Sequence, residues 1–469
     1  MTAQEAASHD HQAAAIQARP KSFPRQAALY AVMAAILLLP AIWNGFPFVF
    51  PDTAGYLVRP FAGTLELGRS ALYGAFLAAG IALDFWPNVI VQALIGAWII
   101  GLVLRVQGLR HPALQIAVVA ALCVGTSLPW YAGQLEPDVF LPLAVLAFYL
   151  TAFAAPQLCR RDIALLAAVV AFAIAAHTSI LAVLLLLLAF LALLWLVAPR
   201  LSLPRPRLIV PAASLVAGAV LALASNDAMT GQAAFTPGGS TFLFGRLLKD
   251  GFVKTYLDRN CPNPTLSLCR YRDTLLTPTE GDYWLWGAGS PLNALGGWRA
   301  FTPESDRIII GSIVEQPGAH VAAILKGTFA QLATLATGDG FDADNDAYNE
   351  QTLTEYAPRA LQRFNAARQQ RDAIDFHVIN RLHVPLALGA TLLLPVLVVL
   401  CWRRRADATL LGLTVFAALV ANAAVCATFS GVEDRYQSRI VSIAILAAAL
   451  AGLGLLPSRR DRQNNHSPN

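Results

Sequence analysis

Asp52 is the only carboxylate in "NGFPFVFPDTAGYLVRP" (residues 44–60), an aromatic, turn-rich stretch that follows an apolar run. One carboxylate at the edge of a water-poor cavity can serve as the general base that takes the proton of a hydroxyl nucleophile. The same "PDT" also suits a turn, or the cap of a short helix, where Asp accepts backbone N–H bonds. A second acid pair, Glu136 and Asp138, stands in "GQLEPDVF" (133–140) at the head of another apolar run. Acid and proline there also fit an ordinary helix start. Two acids at the ends of two helices, facing one cavity, are what a base, or a base with a divalent cation, needs to meet a lipid-bound substrate.

The elements that must position these acids are membrane spans. Hydrophobic residues make up 56% of the 469 and charged residues 13%, against about a quarter charged in a soluble domain. Apolar runs near the length that a bilayer core demands recur at 27–46, 88–105, 114–131, 138–156, 163–176, 178–198, 208–225, 383–402, 409–429 and 440–456. Lys and Arg stay preferentially in the cytoplasm. With the N-terminus inside, Arg105 and Arg110, Arg160 and Arg161, "PRLSLPRPR" (199–207), "WRRR" (402–405) and "SRRDR" (458–462) all fall on that side. The net charge of +5 therefore marks topology and gives no reason to expect nucleic acid.

The reading is an all-α polytopic membrane protein of about ten transmembrane helices. Cytoplasmic tails occupy 1–26 and 457–469, and the first seven helices lie in 27–225 with a first external loop at 47–87. A large extracytoplasmic domain fills 226–382 between the seventh and eighth spans, and 383–456 holds the last three helices. That domain carries 17 of the 29 acidic residues. The piece "SALYGAFLAAGIAL" (70–83) is too short to span and reads as an interfacial helix on the outer surface. Residues 318–336 belong to the external domain, because a span there would throw "WRRR" outside. The polar first 26 residues show no cleavable signal, since the first apolar run is a full span.

Cysteine usage agrees with an external, oxidising side. Cys123, Cys159, Cys401 and Cys426 sit in or beside spans as packing residues, whereas Cys261 and Cys269 in "CPNPTLSLC" suit a disulfide. A two-ligand start of a metal site lacks nearby Cys or His partners.

At the level of motifs the chain resembles the GT-C class of integral-membrane glycosyltransferases. The resemblance rests on an acid in the first external loop ("FPDTAGYL"), a second acid heading a later span ("EPDVFLPLAVLAFYL"), and the Arg-Tyr segment "DRYQSRI" (434–440) before the last span. It covers mainly 27–200 and 430–456. It implies a polyprenyl-phosphate-linked sugar as donor, held between helices in the bilayer, with Asp52 as base and Asp138 as the second catalytic acid. The acceptor, whether glycan, lipid or protein, stays open. An inverting transfer needs one base, unlike the two carboxylates of hydrolases, and an arginine for the phosphate. Arg435 with the adjoining Tyr436 is the best-placed candidate, Arg246 a second, and Arg59 or Arg69 weaker ones. A salt bridge from Arg435 to Glu433 or Asp434 is the plain alternative. Glu136 and His177, at the tip of the "AHT" hairpin, could contact phosphate or acceptor; His177 could equally be a helix cap. The resemblance implies a bacterial-type inner membrane, with both termini cytoplasmic and the large domain periplasmic.

"GDGFDADNDAYNE" (338–350) alternates Asp342, Asp344 and Asp346 like a calcium loop but lacks its sixth-position glycine and closing glutamate, so a solvated loop fits better than a site for a divalent cation. "FTPGGSTFLFGRLLKDG" (235–251) has neither a preceding strand nor a Gly-Lys-Ser and is no nucleotide loop. The Arg-rich 357–382 suits a helix along outer headgroups. A transporter would place charges inside spans, which here look nearly charge-free apart from the polar Asn422. A non-catalytic membrane scaffold is a further alternative.

Overall fold

A bilayer core offers no water to backbone N–H and C=O groups, so a chain this apolar must satisfy them within helices. The computed structural model describes residues 23–64, 67–235, 238–275, 281–287, 289–343 and 347–455. Among them it is an all-α integral membrane protein with no β-strand. The first half runs α1 (Phe23–Leu37), α2 (Leu39–Asn44), α3 (Thr53–Ala62), α4 (Ala71–Ala78), α5 (Trp86–Val106), α6 (Pro112–Gly125), α7 (Leu128–Ala132), α8 (Phe140–Phe153), α9 (Arg160–Ala176), α10 (Thr178–Val197) and α11 (Ile209–Thr230). Shorter helices follow: α12 (Gly239–Lys249), α13 (Phe252–Asn260), α14 (Gly281–Trp286), α15 (Pro291–Ala294), α16 (Gly297–Glu315), α17 (Pro317–Ala333), α18 (Tyr348–Tyr356) and α19 (Pro358–Ala366). The chain returns through α20 (Phe376–Cys401), α21 (Ala406–Phe429) and α22 (Asp434–Leu455).

Helical structure stands at each expected span. Among the described residues, six helices are long and apolar enough to cross a membrane: α5, α10, α11, α20, α21 and α22. At the first expected span the helix breaks after Leu37, and α2 restarts with Pro40 in its first turn.

At the centre stands α8, buried without interruption from Phe140 to Ala152, with α5, α9, α21 and α22 packed around it. In lipid, helices associate through close packing and small residues rather than through the hydrophobic effect. Gly218 of α11 illustrates this, since a Cβ there would lie 2.8 Å from the Ile174 side chain of α9. Because α8 is the axis, the residues that enter it, Glu136 to Val139, sit in the middle of the bundle mouth.

Two expectations change. The helical part of 70–83 is not a helix lying free on a surface, although Ala79, Ala82 and Leu83 after it are exposed. Helix α4 is buried against α3, α9 and α11, with the Tyr73 hydroxyl donating to Gln92 at 3.0 Å and Ser70 donating to Ala175 O at 2.5 Å. Gly74 permits the approach, for a Cβ there would fall 2.3 Å from Tyr56 O. The stretch 226–382 also does not share one core. Phe244, Val253, Leu268, Trp284, Phe301 and Ile308 form a separate small core with the Cys261–Cys269 disulfide at its edge. Leu335, Phe341, Leu353 and Phe364 instead join the main core of the bundle.

Candidate functional site

The aromatic loop ahead of Asp52 is fixed on both sides. Phe48 pairs with Gln134 in an isolated parallel bridge, in which Phe48 N donates to Gly133 O (2.9 Å) and Leu135 N donates to Phe48 O (2.8 Å). Thr53 Oγ1 donates to Leu135 O at 3.1 Å and accepts from Phe50 N at 2.9 Å. From the other side, the Gln369 side chain accepts from Val49 N (3.0 Å) and donates to Val49 O (2.7 Å). Asn349 accepts from Ala54 N at 2.9 Å and donates to Phe50 O at 3.1 Å. These bonds pair the backbone groups of Phe48, Val49 and Phe50 that the loop buries. The bridge also brings the two acid-bearing segments side by side.

Asp52 occupies the N-cap position of α3, yet its side chain makes no cap bond. Its carboxylate instead forms an ion pair with Arg69 and lies 3.9 Å from Arg435 Nη1. With 25% of the side chain exposed, it faces a cavity of about 340 Å³ that Arg69, Trp286, Trp298, Asn293 and Tyr348 also line. Charged and aromatic groups converging on one concave site are the usual composition of a ligand pocket. Aromatic faces pack well on the C–H edges of a sugar ring, while Asp, Arg and Asn can bond its hydroxyls.

Below that cavity lies a buried ionic network. Arg435 Nη2 donates to Asp138 Oδ2 at 3.2 Å, and Arg439 Nη1 donates to Asp138 Oδ1 at 2.7 Å. Arg439 is 1% exposed and also reaches Asn422 Oδ1 (3.0 Å) and Cys426 Sγ (3.4 Å) on α21. The Arg435 guanidinium lies 3.7 Å from the centre of the Phe50 ring, and Tyr436 faces both arginines at 5.6 Å. Gly340 is needed behind Phe50, because its φ is +75° and a Cβ would meet that ring at 1.7 Å. Asp339 accepts from Arg435 N at 2.9 Å and so fixes the first turn of α22. Asp138 thus gives one oxygen to each arginine. It acts as their anchor.

Glu136 differs. It is 1% exposed, and neither carboxyl oxygen has a hydrogen-bond partner among the described residues; the Gln134 amide beside it has none either. Burial, then the charge of Asp52, pushes the Glu136 carboxyl well above the usual range. Its protonated form is therefore favoured by folding. Below pH 4.5, the ordinary value, it is neutral in both states, and Glu136→Gln should leave stability unchanged. Above that pH only the wild-type chain is penalised, by up to about 1.4 kcal/mol per pH unit until the folded-state value is passed. Glu136→Gln should therefore melt higher than wild type at pH 7 but not at pH 4. An equal offset at both values would show that Glu136 is not held protonated.

His177 is the cap that it could have been from position alone: its Nδ1 accepts from Ser179 N at 3.3 Å. Burial lowers its imidazole to about 3, against the pull of nearby Asp138, so it stays neutral. Arg246 lies outside the network. It donates to Ala427 O at 3.1 Å and pairs with Asp250 at 3.1 Å. The alternative partners of Arg435 are also occupied elsewhere: Glu433 pairs with Lys249 at 3.6 Å, and Asp434 accepts from Ala336 N at 2.6 Å. Among the described residues no three His, Cys, Asp or Glu side chains gather as metal ligands. Asp342 is exposed, and Asp344 and Asp346 lie outside the described residues.

Arg439 is not among the candidates the sequence offers, and Arg69 is only a weaker one. The signal for Arg439 was its place one helical turn after Arg435 in "DRYQSRI", on the same face, at the head of an apolar run where a charge needs a reason. No protein-family model matches this chain, and neither curated proteins nor solved structures give a match.

Proposed function

We propose that this protein is a membrane glycosyltransferase of the GT-C type that moves a sugar from a polyprenyl-phosphate donor to an acceptor outside the cytoplasm. The observation that carries the reading is Asp52: a carboxylate in a capping position that does no capping and instead faces an aromatic-lined cavity beside two arginines. In the proposed step the acceptor O–H proton passes to Asp52 as the oxygen attacks the anomeric carbon. The bond from that carbon to the phosphate oxygen breaks, and polyprenyl phosphate leaves with the electron pair. Arg435 and Arg69 bind the phosphate, whose charge makes an acid catalyst unnecessary. The reading includes ten spans, both termini in the cytoplasm of a bacterial-type inner membrane, and residues 226–382 on its periplasmic side.

Comparing lipid-linked sugars and envelope glycans in cells with and without the protein tests it. Loss should leave the sugar-loaded lipid in excess and one glycan short of that sugar. Unchanged pools of both would overturn the proposal. A transporter is the second reading, supported by the buried Arg439–Asp138 pair in the bundle. It is favoured if the lipid-linked sugar collects only on the cytoplasmic face.

Topology has its own check. Reporter fusions after residues 108, 204 and 405 should give cytoplasmic signals, and those after 60 and 300 external ones. An external signal at 405 would reverse the assignment of the last three spans.

A further inference from the structure

Helices α16 and α17 pass together as an apolar pair but bend by 98° at their junction. Their outward faces have an unusual composition. Along α16 the exposed residues include Arg299, Pro303 and Arg307 and then Ile310, Ile313 and Val314, with Glu315 exposed at the bend itself. On α17 the exposed face holds Val321, Leu325 and Phe329, with Lys326 its only charge. Val314 and Phe329 are 73% and 72% exposed. A contiguous apolar face of this kind is unstable in water and marks a contact surface.

We infer that the α16–α17 elbow is embedded in the membrane leaflet on the Asp52 side, with acyl chains as its partner. Three observations select lipid. First, the opposite face of α17 packs on the span α21, where a Cβ on Gly327 would lie 3.0 Å from the Ala427 side chain. The apolar face is thus continuous with the lipid-facing surface of the bundle. Second, the bend and the far end of the pair have polar anchors that keep it shallow. Glu315 at the bend bonds Asn260 at 3.1 Å and pairs with Arg259 at 3.6 Å, and Gln331 donates to Glu433 O at 2.8 Å. Third, the switch from arginine to isoleucine and valine along α16 is the pattern of an element crossing from headgroups into acyl chains, and Lys326 is long enough to extend back to the headgroups. The first residues of α16, Gly297 and Trp298, line the Asp52 cavity. The embedded elbow therefore holds the cavity rim at headgroup height.

The inference stands without the transferase reading, and its test uses the unaltered chain. The protein is reconstituted in phosphatidylethanolamine–phosphatidylglycerol vesicles containing a phospholipid with a diazirine in its acyl chain, photolysed and mapped by mass spectrometry. A second sample receives a water-soluble diazirine. The acyl probe should label peptides across 310–329 within about twofold of the lipid-facing stretch 392–399 of α20. The water-soluble probe should label the exposed Asp273 and Thr274 at least about tenfold more than the elbow. Elbow labelling by the water-soluble probe alone would place it in solvent, and protection from both probes would mean that a second copy covers it. Either result overturns the inference.

Discussion

Asp52→Asn should lower the rate of sugar transfer by about 10²-fold or more, the range lost with a general base, while the fold survives. The amide keeps the shape of the side chain and can bond the same neighbours, but it cannot take a proton from a hydroxyl. A capping role predicts the opposite, since Asn caps about as well as Asp, and the side chain makes no cap bond to lose. What the variant does lose is the ion pair with Arg69, one-quarter exposed on the Asp52 side. Pairs with such access to water contribute about 1 kcal/mol or less. The rate is read as product formed in membranes from cells that lack the native protein and carry the variant, and the melt on the purified chain. A full rate at normal abundance would leave Asp52 a salt-bridge residue and end the proposed mechanism. A lost rate with a collapsed melt would also count against it, because the carboxylate would then be structural.

The membrane spans were legible because lipid imposes one rule on every helix, a long apolar run with basic residues at one end. The convergence of Asp52, Asp138 and Arg435 was partly legible for the same reason. Residues at helix ends on one side of a bilayer share a plane, so few arrangements keep them apart. The depth of each residue was not legible. Whether Glu136 is buried and unpaired depends on α8 being the central helix, which its uniformly apolar sequence does not distinguish from any other span. Arg69 lies in a loop whose path is set by α4 packing inward, and the expected surface position of 70–83 removed it from view. Residues 226–382 carry enough charge around their apolar pieces to read as one domain. Their division arises from which aromatic residues reach the bundle, Phe341 against Phe48 and Trp130, and that is a matter of tertiary packing.

Arg439→Met should be the most destabilising of the substitutions considered, by about 3–5 kcal/mol, the usual cost of breaking a buried ion pair from one side. Methionine fills much of the volume, so the loss is chiefly electrostatic. Asp138, 2% exposed, would keep one arginine where it had two, and Asn422 would lose its guanidinium donor. The same change should disturb the site above. Arg435 is held by Asp138, Phe50 and Asp52 together, and a lone Asp138–Arg435 pair has a different preferred geometry. The double variant Arg439→Met with Asp138→Leu removes both charges of the lower pair. It should regain a large part of the lost stability, because paired apolar replacements of buried ions are often neutral. It should not regain transfer, since Arg435 would then have no anchor beneath it. Melting in lipid nanodiscs and transfer in membranes separate these two effects. If Arg439→Met melts with the wild-type chain, the network is not what holds α22 to α8. If the double variant transfers sugar normally, Asp138 does not position Arg435 for phosphate.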